Sequence, residues 1–551
     1  MTARSTREDT IGTDPGSGDL VDGPTSVSNE APEQTPPIEI RTGKVRGMRK
    51  DGVSSFLGIP FGSDTGMHRF QQVGAPRAWT DVRDCFAFGA QAPQGQLNIG
   101  NSRVGPDTNS EFMQKIAAIF RSSMAAQTLS ESENCLFLNV YTPDASRARK
   151  RPVMVWLHGG GFALGSGGNP GYDGRALCRR GDVVVVTLNH RLNALGYLYL
   201  GALHDDFGDS GNVGQLDIVL ALQWVRDNIA FFGGDPANVT IFGESGGGSK
   251  VGTLLAMPLA RGLFHKAIVQ SGPAVRMVEK SDAEEIADRT LTALGVARAD
   301  VHKLQSMDRK AVIDAASAVQ LPGSGLTKRS LAPVVDGRSL PADPFHPHAT
   351  EVSRDIPLII GTTKDEGTLF TAVDPDFGKM TPEQVRQRFN AMLDGIGDAA
   401  FELYRAHRPN DQPTYWLTAL MTDLMMRNDS IRMAERKAAQ RAAPVFMYRL
   451  DWETPVMNGA LKSTHGLDIP LTFDNTDKSP GMVGTGPEPK KLAAAMAQAW
   501  VNFARTGNPS QEGLAWPEYE AQARKTMIFD VNSRTVSDPD RETREFWARL
   551  G

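Results

Sequence analysis

Residues 239–257 of this 551-residue chain read VTIFGESGGGSKVGTLLAM, and this stretch decides the fold class. Its apolar start, Val239–Phe242, predicts a strand, and Val251–Met257 predicts a helix. Between them, Gly243–Gly247 is the single match to the pattern G-x-S-x-G in the chain. Glycine suits a strand-to-helix turn, which is strained and close-packed. Such a turn lifts the hydroxyl of Ser245 above the carboxyl edge of a sheet, at the N-terminus of the helix.

The same glycines also nearly match a phosphate-binding loop. In that loop, backbone N–H groups surround a phosphate and a lysine reaches it. Here Lys250 comes after Ser249, one position too late for the pattern. The order of strand, turn and helix therefore favours an exposed serine nucleophile over a phosphate site.

Short apolar runs bounded by turn residues recur along the chain and alternate with longer helical patterns. This alternation predicts an α/β fold with a large, mostly parallel sheet, whose strands are apolar on both faces because helices cover both. The predicted helices include Gln215–Ile229 and Leu492–Ala504. The predicted strands are Val153–Leu157, Val183–Leu188, Val239–Phe242, Ala267–Gln270, Ile356–Ile360 and Val445–Leu450.

Two stretches interrupt this alternation. Residues 94–134 are rich in Gly, Ser and Asn, and they carry one amphipathic helical pattern. Tyr415–Met433 is helical in pattern and rich in methionine. Long insertions in α/β enzymes often form lids or pocket walls, whereas apolar stripes also pack on the body of a domain without a further role. Both interpretations stay open for each stretch.

The net charge of the chain is concentrated at its start. The chain has 59 Lys and Arg against 64 Asp and Glu, and residues 1–37 hold seven of these acids and two of the bases. The remainder is neutral and lacks a basic footprint, so we expect neither a nucleic-acid nor an anionic-membrane partner. Residues 1–36, rich in Pro, Gly, Ser, Thr and acids, are predicted to be a disordered acidic tail, and 37–551 one α/β domain.

Three cysteines are too few for a disulfide scaffold and leave room for one bridge at most. No stretch approaches 18 consecutive apolar residues, so no transmembrane helix is expected. The first residues also lack the apolar core of a secretory signal. We therefore expect a reduced, cytoplasmic enzyme, whose oligomeric state the sequence does not indicate.

A serine nucleophile needs a general base, and six of the ten histidines follow Ser245. Only His465 follows shortly after a late predicted strand, Val445–Leu450, as the chain order serine, acid, histidine requires. Its alternative is an ordinary surface histidine in a loop. His465 is therefore the candidate base.

The acid that orients this histidine is less well determined. The strand Ile356–Ile360 runs into a loop in which Asp365 and Glu366 are neighbours, and either carboxylate would stand at the carboxyl edge of the sheet. Asp336, in PVVDG, is a third candidate. Residue type and spacing alone do not choose among them.

An oxyanion that forms on the substrate needs fixed N–H donors. The segment His158–Phe162, HGGGF, follows the strand Val153–Leu157, and its glycines let backbone N–H groups approach a substrate without a side chain between them. Gly160, Gly161 and Gly246 are the candidate donors, with a bare turn as the alternative.

Five separated motifs, in this order, resemble the type-B carboxylesterases, the cholinesterase-like branch of the α/β-hydrolases. They are HGGGF, DSGNVGQLDIVLALQWVRDNIAFFGGDPANVTIFGESGGGSKV, GTTKDEGTLF, THGLDIPLTF and WVNFARTGNPSQEGLAWPEY. GESGGGSKV together with NHRLNALGYLYL is most similar to the bacterial para-nitrobenzyl-esterase-type members. The resemblance runs from about residue 37 to the end of the chain.

This resemblance implies a catalytic triad of Ser245, Glu366 and His465, and so decides between Glu366 and Asp365. It also supports the oxyanion glycines. Glu244, Ser271 and Asp468 are expected as supporting polar groups, with ordinary structural hydrogen bonding as the alternative.

One departure from the family concerns a disulfide. Secreted relatives pair the cysteine of SENCLFLNV, here Cys135, with a cysteine in a CPQ motif. This chain has Ala92-Pro93-Gln94 at that place, and Cys85 lies seven residues earlier. The missing partner agrees with the expected cytoplasmic location.

The expected function is hydrolysis of small-molecule carboxylic esters through an acyl-enzyme on Ser245, with no metal or organic cofactor. The first alternative is the same site acting mainly on aryl carbamates or amides. The second is a non-catalytic binding protein of the cholinesterase-like kind. Phe162 and the two insertions are expected to line an apolar pocket that favours uncharged, hydrophobic substrates.

Overall fold

The computed structural model describes residues 31–95, 129–319, 321 and 330–550 of the chain. One large sheet dominates these residues, with two small sheets beside it. The strands are β1 (Glu33–Gln34), β2 (Ile38–Ile40), β3 (Gly43–Arg46), β4 (Met48–Lys50), β5 (Val53–Pro60), β6 (Val82–Asp84), β7 (Phe137–Thr142), β8 (Arg151–Leu157), β9 (Val184–Leu188), β10 (Gly234–Glu244), β11 (Lys266–Gln270), β12 (Val278–Glu279), β13 (Val334–Val335), β14 (Leu358–Thr363), β15 (Val445–Leu450), β16 (Lys525–Phe529) and β17 (Arg534–Ser537).

Helices connect and cover these strands. In chain order they are α1 (Arg175–Gly181), α2 (Asn193–Tyr197), α3 (Val213–Asn228), α4 (Gly246–Leu254), α5 (Lys280–Leu294), α6 (Arg309–Ala318), α7 (Gly367–Thr371), α8 (Pro382–Met392), α9 (Gly397–His407), α10 (Pro413–Thr422), α11 (Asn428–Ala439), α12 (Asp468–Thr472), α13 (Pro480–Val483), α14 (Pro487–Thr506) and α15 (Arg541–Ala548).

The large sheet has the strand order β1-β4-β5-β7-β9-β8-β10-β11-β14-β15-β16-β17 among the described residues. Every neighbouring pair from β9 to β16 is parallel, and the pairs at the two ends are antiparallel. The carboxyl ends of β8, β10, β14 and β15 therefore meet at one edge of the sheet. The large, mostly parallel sheet that the sequence predicts is confirmed.

The core lies on both faces of this sheet. Along β8, Val153, Val155 and Leu157 pack into one apolar cluster, and Met154 and Trp156 pack into another. Helices α3, α4 and α11 supply the first cluster, and α1, α12 and α14 supply the second. Because successive side chains of a strand point to opposite faces, a strand covered on both sides is apolar along its covered length, as β8 is from Pro152 to Leu157.

The predicted elements are present with shifted ends. Strand β14 begins at Leu358 rather than at Ile356, since Pro357 has no N–H to give to a neighbouring strand. Helix α4 begins at Gly246, five residues before the predicted Val251, directly after Ser245. The helix N-terminus therefore abuts the serine.

The predicted tail and insertions are only partly within the described residues. Glu33 and Gln34 pair with Arg49 and Met48, so strand pairing begins before the predicted boundary at residue 37. The amphipathic pattern of Phe112, Ile116, Ile119 and Phe120 lies outside the described residues. Among the described helices, none has the length and apolar character needed to cross a membrane.

The methionine-rich stretch is helical, as predicted. It comprises most of α10 and the first half of α11, with a π-helical turn at Asp423–Arg427 between them. Met433 is fully buried in the core, whereas Met425 and Met426 in the turn are half-buried. Packing on the body accounts for Met433, whereas Met425 and Met426 are only partly packed.

Candidate active site

Ser245 stands in the turn between β10 and α4. Its backbone has φ 55° and ψ −125°, a conformation that costs energy for a residue with a side chain and is typical of functional turns. Its N–H donates to the Gln270 carbonyl at 2.9 Å. A Cβ on Gly272 would lie 1.8 Å from the Ser245 carbonyl oxygen, so glycine is required for this close approach. The serine side of the site is thus fixed by its main chain.

The Glu366 side chain is fully buried in the loop after β14. Its Oε2 lies 2.5 Å from Nδ1 of His465. Its Oε1 accepts a hydrogen bond from the Thr363 N–H at 2.7 Å and another from the Ser271 hydroxyl. With both oxygens engaged, the carboxylate has one orientation and holds the imidazole in turn.

The two other candidate acids point elsewhere. Asp365, although adjacent to Glu366, pairs with the Arg408 guanidinium. Asp336 accepts hydrogen bonds from Asn212, at 2.9 Å, and from the Ser339 hydroxyl at 2.6 Å. The structure therefore brings Glu366, and neither alternative, to the histidine.

His465 is buried, with 2% of its side chain exposed. Its Nε2 has no hydrogen-bond partner within the described part of the chain and lies 3.3 Å from Oε1 of Glu244, the residue before Ser245. Burial lowers the pKa of His465, but the Glu244 and Glu366 carboxylates outweigh this and raise it to about 9. The site thus stabilises the imidazolium that forms when the histidine accepts a proton.

Glu244 lies at the end of β10 and is also buried. Burial raises its pKa to about 8, and the charges of Asp468 and Glu366 add to the increase. His465 and Lys250 act in the opposite direction. Glu244 therefore titrates as a member of a coupled group around the histidine.

Asp468, in the first turn of α12, completes this group. Its Oδ2 accepts hydrogen bonds from the Tyr448 hydroxyl at 2.6 Å and from Gln270 Nε2 at 3.0 Å. Burial raises its pKa, and those two hydrogen bonds oppose the increase. Both partners come from strands of the sheet, so Asp468 ties the segment after His465 to the sheet.

The loop His158–Phe162 follows β8 and lies against the N-terminus of α4. Gly160 and Gly161 have φ of +88° and +60°, which glycine adopts without strain. A Cβ on Gly246 would lie 2.2 Å from the Gly161 carbonyl oxygen, so the loop and the helix terminus touch. Within the described residues, the N–H groups of all three glycines donate to no acceptor, which leaves them available to a substrate oxygen.

Phe162 ends this loop and is half-buried. Its ring meets that of Tyr197 edge to face, with centroids 5.0 Å apart. Its carbonyl accepts from the Asn193 N–H at 2.7 Å. The ring is thus placed beside the candidate oxyanion hole.

Several residues around the site were not found from the sequence. Phe370, in α7, lies against His465 with ring centroids 5.1 Å apart. Lys250 is fully buried behind the glycine loop, and Arg427 donates to two carbonyls of the loop that carries Glu366. In the sequence, the only indication of Phe370 is the segment GTLF, which follows Glu366. A lysine or an arginine in a helix is normally exposed to solvent, so the sequence does not indicate that Lys250 and Arg427 are buried.

Metal-ligating side chains come together at one other place among the described residues. His204, Asp206 and His302 have ligand atoms within 4.8 Å of one another, and all three are exposed. None of them belongs to the group around His465.

A mostly parallel sheet, a serine on a strand-to-helix turn, and a histidine paired with a carboxylate after later strands together define the α/β-hydrolases. A family model described as the carboxylesterase family matches residues 34–547. The para-nitrobenzyl esterase of Bacillus subtilis (strain 168) is 36% identical over 92% of this chain and 97% of that protein. The phenmedipham hydrolase of Pseudarthrobacter oxydans is 33% identical over 91% of this chain and 97% of that protein.

The structural comparison agrees. A crystal structure of a Geobacillus stearothermophilus carboxylesterase superposes with a TM-score of 0.78 and 36% identity, over 93% of this chain and 99% of that one. The chain belongs to the carboxylesterase family, and it is a hydrolase that acts on ester bonds.

Proposed function

We propose that Ser245, His465 and Glu366 form the catalytic triad of this esterase. The observation that carries the proposal is the 2.5 Å contact between His465 Nδ1 and Glu366 Oε2. Within the described residues Nε2 of the same ring has no hydrogen-bond partner, and it lies 3.3 Å from Oε1 of Glu244 at the end of β10. A base oriented on one nitrogen and open on the other is what a serine hydroxyl requires. Family membership, in which the serine acyl-enzyme mechanism is general, supports the same assignment.

The reaction has two steps. His465 takes the proton of Ser245 as its oxygen attacks the ester carbonyl, and the N–H groups of Gly160, Gly161 and Gly246 bind the oxyanion. His465 then gives the proton to the leaving alcohol. In the second step His465 takes a proton from water, which attacks the acyl-enzyme. His465 then returns the proton to the oxygen of Ser245 as the carboxylic acid is released.

Ser271 and Asp468 act as supporting groups in this proposal. The Ser271 hydroxyl donates to the oxygen of Glu366 that does not contact the histidine. Asp468 adds negative charge near the imidazole and raises the pKa of His465 together with Glu244 and Glu366. Both act through another residue and touch no reacting atom.

The substrates are proposed to be uncharged esters with hydrophobic acyl or alcohol groups. The loop His158–Phe162 is called the oxyanion loop below. Two half-buried aromatic rings lie at the site, that of Phe162 at the end of this loop and that of Phe370 against His465. Apolar walls with few polar groups select such substrates. A higher kcat/KM on charged, highly polar esters than on short apolar ones would contradict this assignment.

A second candidate is the same site acting mainly on aryl carbamates or amides. The triad does not separate these reactions, since the preference for a leaving group resides in the pocket walls. One similar protein is named phenmedipham hydrolase rather than esterase. Rates on matched p-nitrophenyl esters, carbamates and anilides decide between the two candidates.

The test of the proposed function is hydrolysis of p-nitrophenyl butyrate by the wild type and by Ser245→Ala. We expect kcat/KM to fall by about four to six orders of magnitude in the variant. A variant that keeps its activity would remove Ser245 from the mechanism. If both proteins are inactive but a fluorophosphonate labels only the wild type, the esterase site is intact and the substrate is wrong; absence of labelling supports the non-catalytic alternative.

The cytoplasm is the proposed location. Cys85, Cys135 and Cys178 are buried free thiols in the structure, as is usual in a reducing compartment. Burial raises the pKa of each thiol, which makes the thiolate scarce. Cell fractionation against a cytoplasmic marker enzyme tests this, and recovery outside the cytoplasmic fraction would contradict it.

A further inference from the structure

Lys250 is a buried lysine with an unusual set of partners. It lies in the second turn of α4, five residues after Ser245, and its side chain is fully buried. A buried ammonium is costly unless its protons are bound. Here Nζ donates to the His158 carbonyl at 2.9 Å and to the Gly161 carbonyl at 2.8 Å. No carboxylate oxygen lies within 4.0 Å of it in the described part of the chain.

The two acceptors are at the two ends of the glycine segment of the oxyanion loop. Between them lie Gly159 and Gly160, which have no side chains to pack and therefore large conformational freedom. The Gly161 carbonyl that accepts from Lys250 is also the atom in closest approach to Gly246. One side chain therefore fixes the loop at both ends and against the helix that carries the third oxyanion N–H.

We propose that Lys250 is a positioning residue for the oxyanion hole. It holds the His158 and Gly161 carbonyls to α4, so that the N–H groups of Gly160, Gly161 and Gly246 converge on one point. This inference rests on the proposed function, because it assigns a role to Lys250 only if those N–H groups bind the oxyanion. Preorganised donors act without reorganisation at the moment of reaction, so a fixed loop lowers the barrier more than a mobile one.

The charge of Lys250 works in the same direction. Its Nζ lies 5.5 Å from the centroid of the Phe162 ring, which covers it on one side. The ammonium also contributes a positive potential behind the position of the oxyanion.

The titratable groups that face Lys250 are His158, His190 and Glu244. The two imidazoles stack with centroids 4.9 Å apart, and each has its Nδ1 at a main-chain carbonyl. Burial, and after it the charge of Lys250, lower the pKa of His158 to about 3 and that of His190 well below its usual value. Both rings are thus neutral at neutral pH. Glu244 is the one facing group among the described residues that favours the charged lysine.

Lys250→Met tests the proposal, because methionine keeps the length and apolar stem of lysine and removes the donors. Lys437→Met is the matched control. Lys437 in α11 is also buried and donates to two main-chain carbonyls, those of Ser353 at 2.6 Å and Arg354 at 2.7 Å. Those carbonyls lie outside the oxyanion loop, so the control reproduces the loss of a buried lysine without touching the site.

The measurements are kcat and KM on p-nitrophenyl butyrate, affinity for an alkyl trifluoromethyl ketone, and Tm. The ketone forms a hemiketal anion on the serine and therefore depends on the oxyanion hole. For Lys250→Met we expect kcat to fall by about 10- to 100-fold with KM within about threefold of wild type, and ketone affinity to fall in proportion. For Lys437→Met we expect a comparable loss of Tm with kcat within about threefold.

The proposal is overturned if Lys250→Met keeps kcat within about threefold of wild type, or if Lys437→Met loses as much kcat at an equal loss of Tm. If Lys250→Met does not fold, Lys250→Leu is judged by the same criterion, since leucine also removes every donor and leaves no polar atom buried in the pocket. Ser245→Ala is measured alongside. A Ser245→Ala variant that stays active overturns the proposed function itself, whereas an inactive one together with an active Lys250→Met overturns only the role of Lys250.

Discussion

Two loops carry groups of the proposed site, and a buried basic side chain holds each of them. In the oxyanion loop, Lys250 donates to the His158 and Gly161 carbonyls. In the acid loop, residues 363–366, Arg427 donates to the Thr363 carbonyl at 3.0 Å and to the Lys364 carbonyl at 2.8 Å. Each loop is thus fixed by a buried basic side chain from a neighbouring helix or turn.

The difference is in the charge balance. Arg427 pairs with Asp423 at 3.1 Å and lies 3.5 Å from Asp540, so its charge is compensated. Lys250 has no such partner among the described residues, and burial lowers its pKa to about 7, which Glu244 opposes. The acid loop is therefore held by an arginine paired with carboxylates, and the oxyanion loop by a lysine that titrates near neutrality.

The largest effect is expected from the substitution of Glu366, the last residue of the acid loop. Glu366→Gln keeps the shape of the side chain but removes the charge that orients His465 and stabilises its protonated form. We expect kcat to fall by about 10³- to 10⁴-fold with little loss of Tm. Asp365→Asn is the control, because Asp365 faces Arg408 and not the histidine. An Asp365→Asn variant that loses more kcat than Glu366→Gln would reverse the assignment of the acid.

Replacement of Arg427, which holds the acid loop, should mainly lower the stability of the protein. Arg427→Met leaves Asp423 buried without its cation and two carbonyls without a donor, which costs about 3–5 kcal/mol of unfolding free energy. Urea unfolding of the wild type and the variant measures this. Arg386→Met, which removes exposed ion pairs on α8, should change the midpoint little. Equal losses in the two variants would show that the buried network adds nothing. Lys250→Met, by comparison, should lose more in kcat than in stability.

The smallest expected effect concerns the pH dependence of kcat/KM. Glu244 raises the pKa of His465, so Glu244→Gln should lower it. The histidine must be unprotonated to accept the serine proton, and the acid limb of the kcat/KM profile should therefore move to lower pH, by about one unit or less. Profiles of both proteins from pH 5 to 10 give the shift. A limb that stays in place or moves upward would mean that Glu244 is neutral in the free enzyme.

Much of the frame follows from sequence patterns that are local. Strands such as β8 and β15 are apolar runs with turns at both ends, so their positions need no long-range information. The serine is marked by the glycines that its turn requires, and the late strand before His465 marks the histidine. The structure brings His465 to Glu366, as the resemblance implies.

The rest depends on which way a side chain points and on partners far away in the chain. Asp365 and Glu366 both carry a carboxylate. Only the path of the loop after β14 directs Glu366 to the histidine and Asp365 to Arg408. Judged from the sequence, Lys250 is expected to be a solvent-exposed residue of a helix. Its burial depends on carbonyls about 90 residues earlier in the chain, as the separation of its partners shows.

The π-helical turn at Asp423–Arg427 limits how this chain tolerates changes of length. On one side of the turn, Thr422 accepts from the Gly367 N–H next to Glu366, and Arg427 reaches the acid loop from the turn itself. On the other side, Met433 is sealed in the core. Each residue of an α-helix rotates the faces by about 100°. Loss of one residue here would rotate α11 by about 100° relative to α10. This segment therefore does not tolerate deletions.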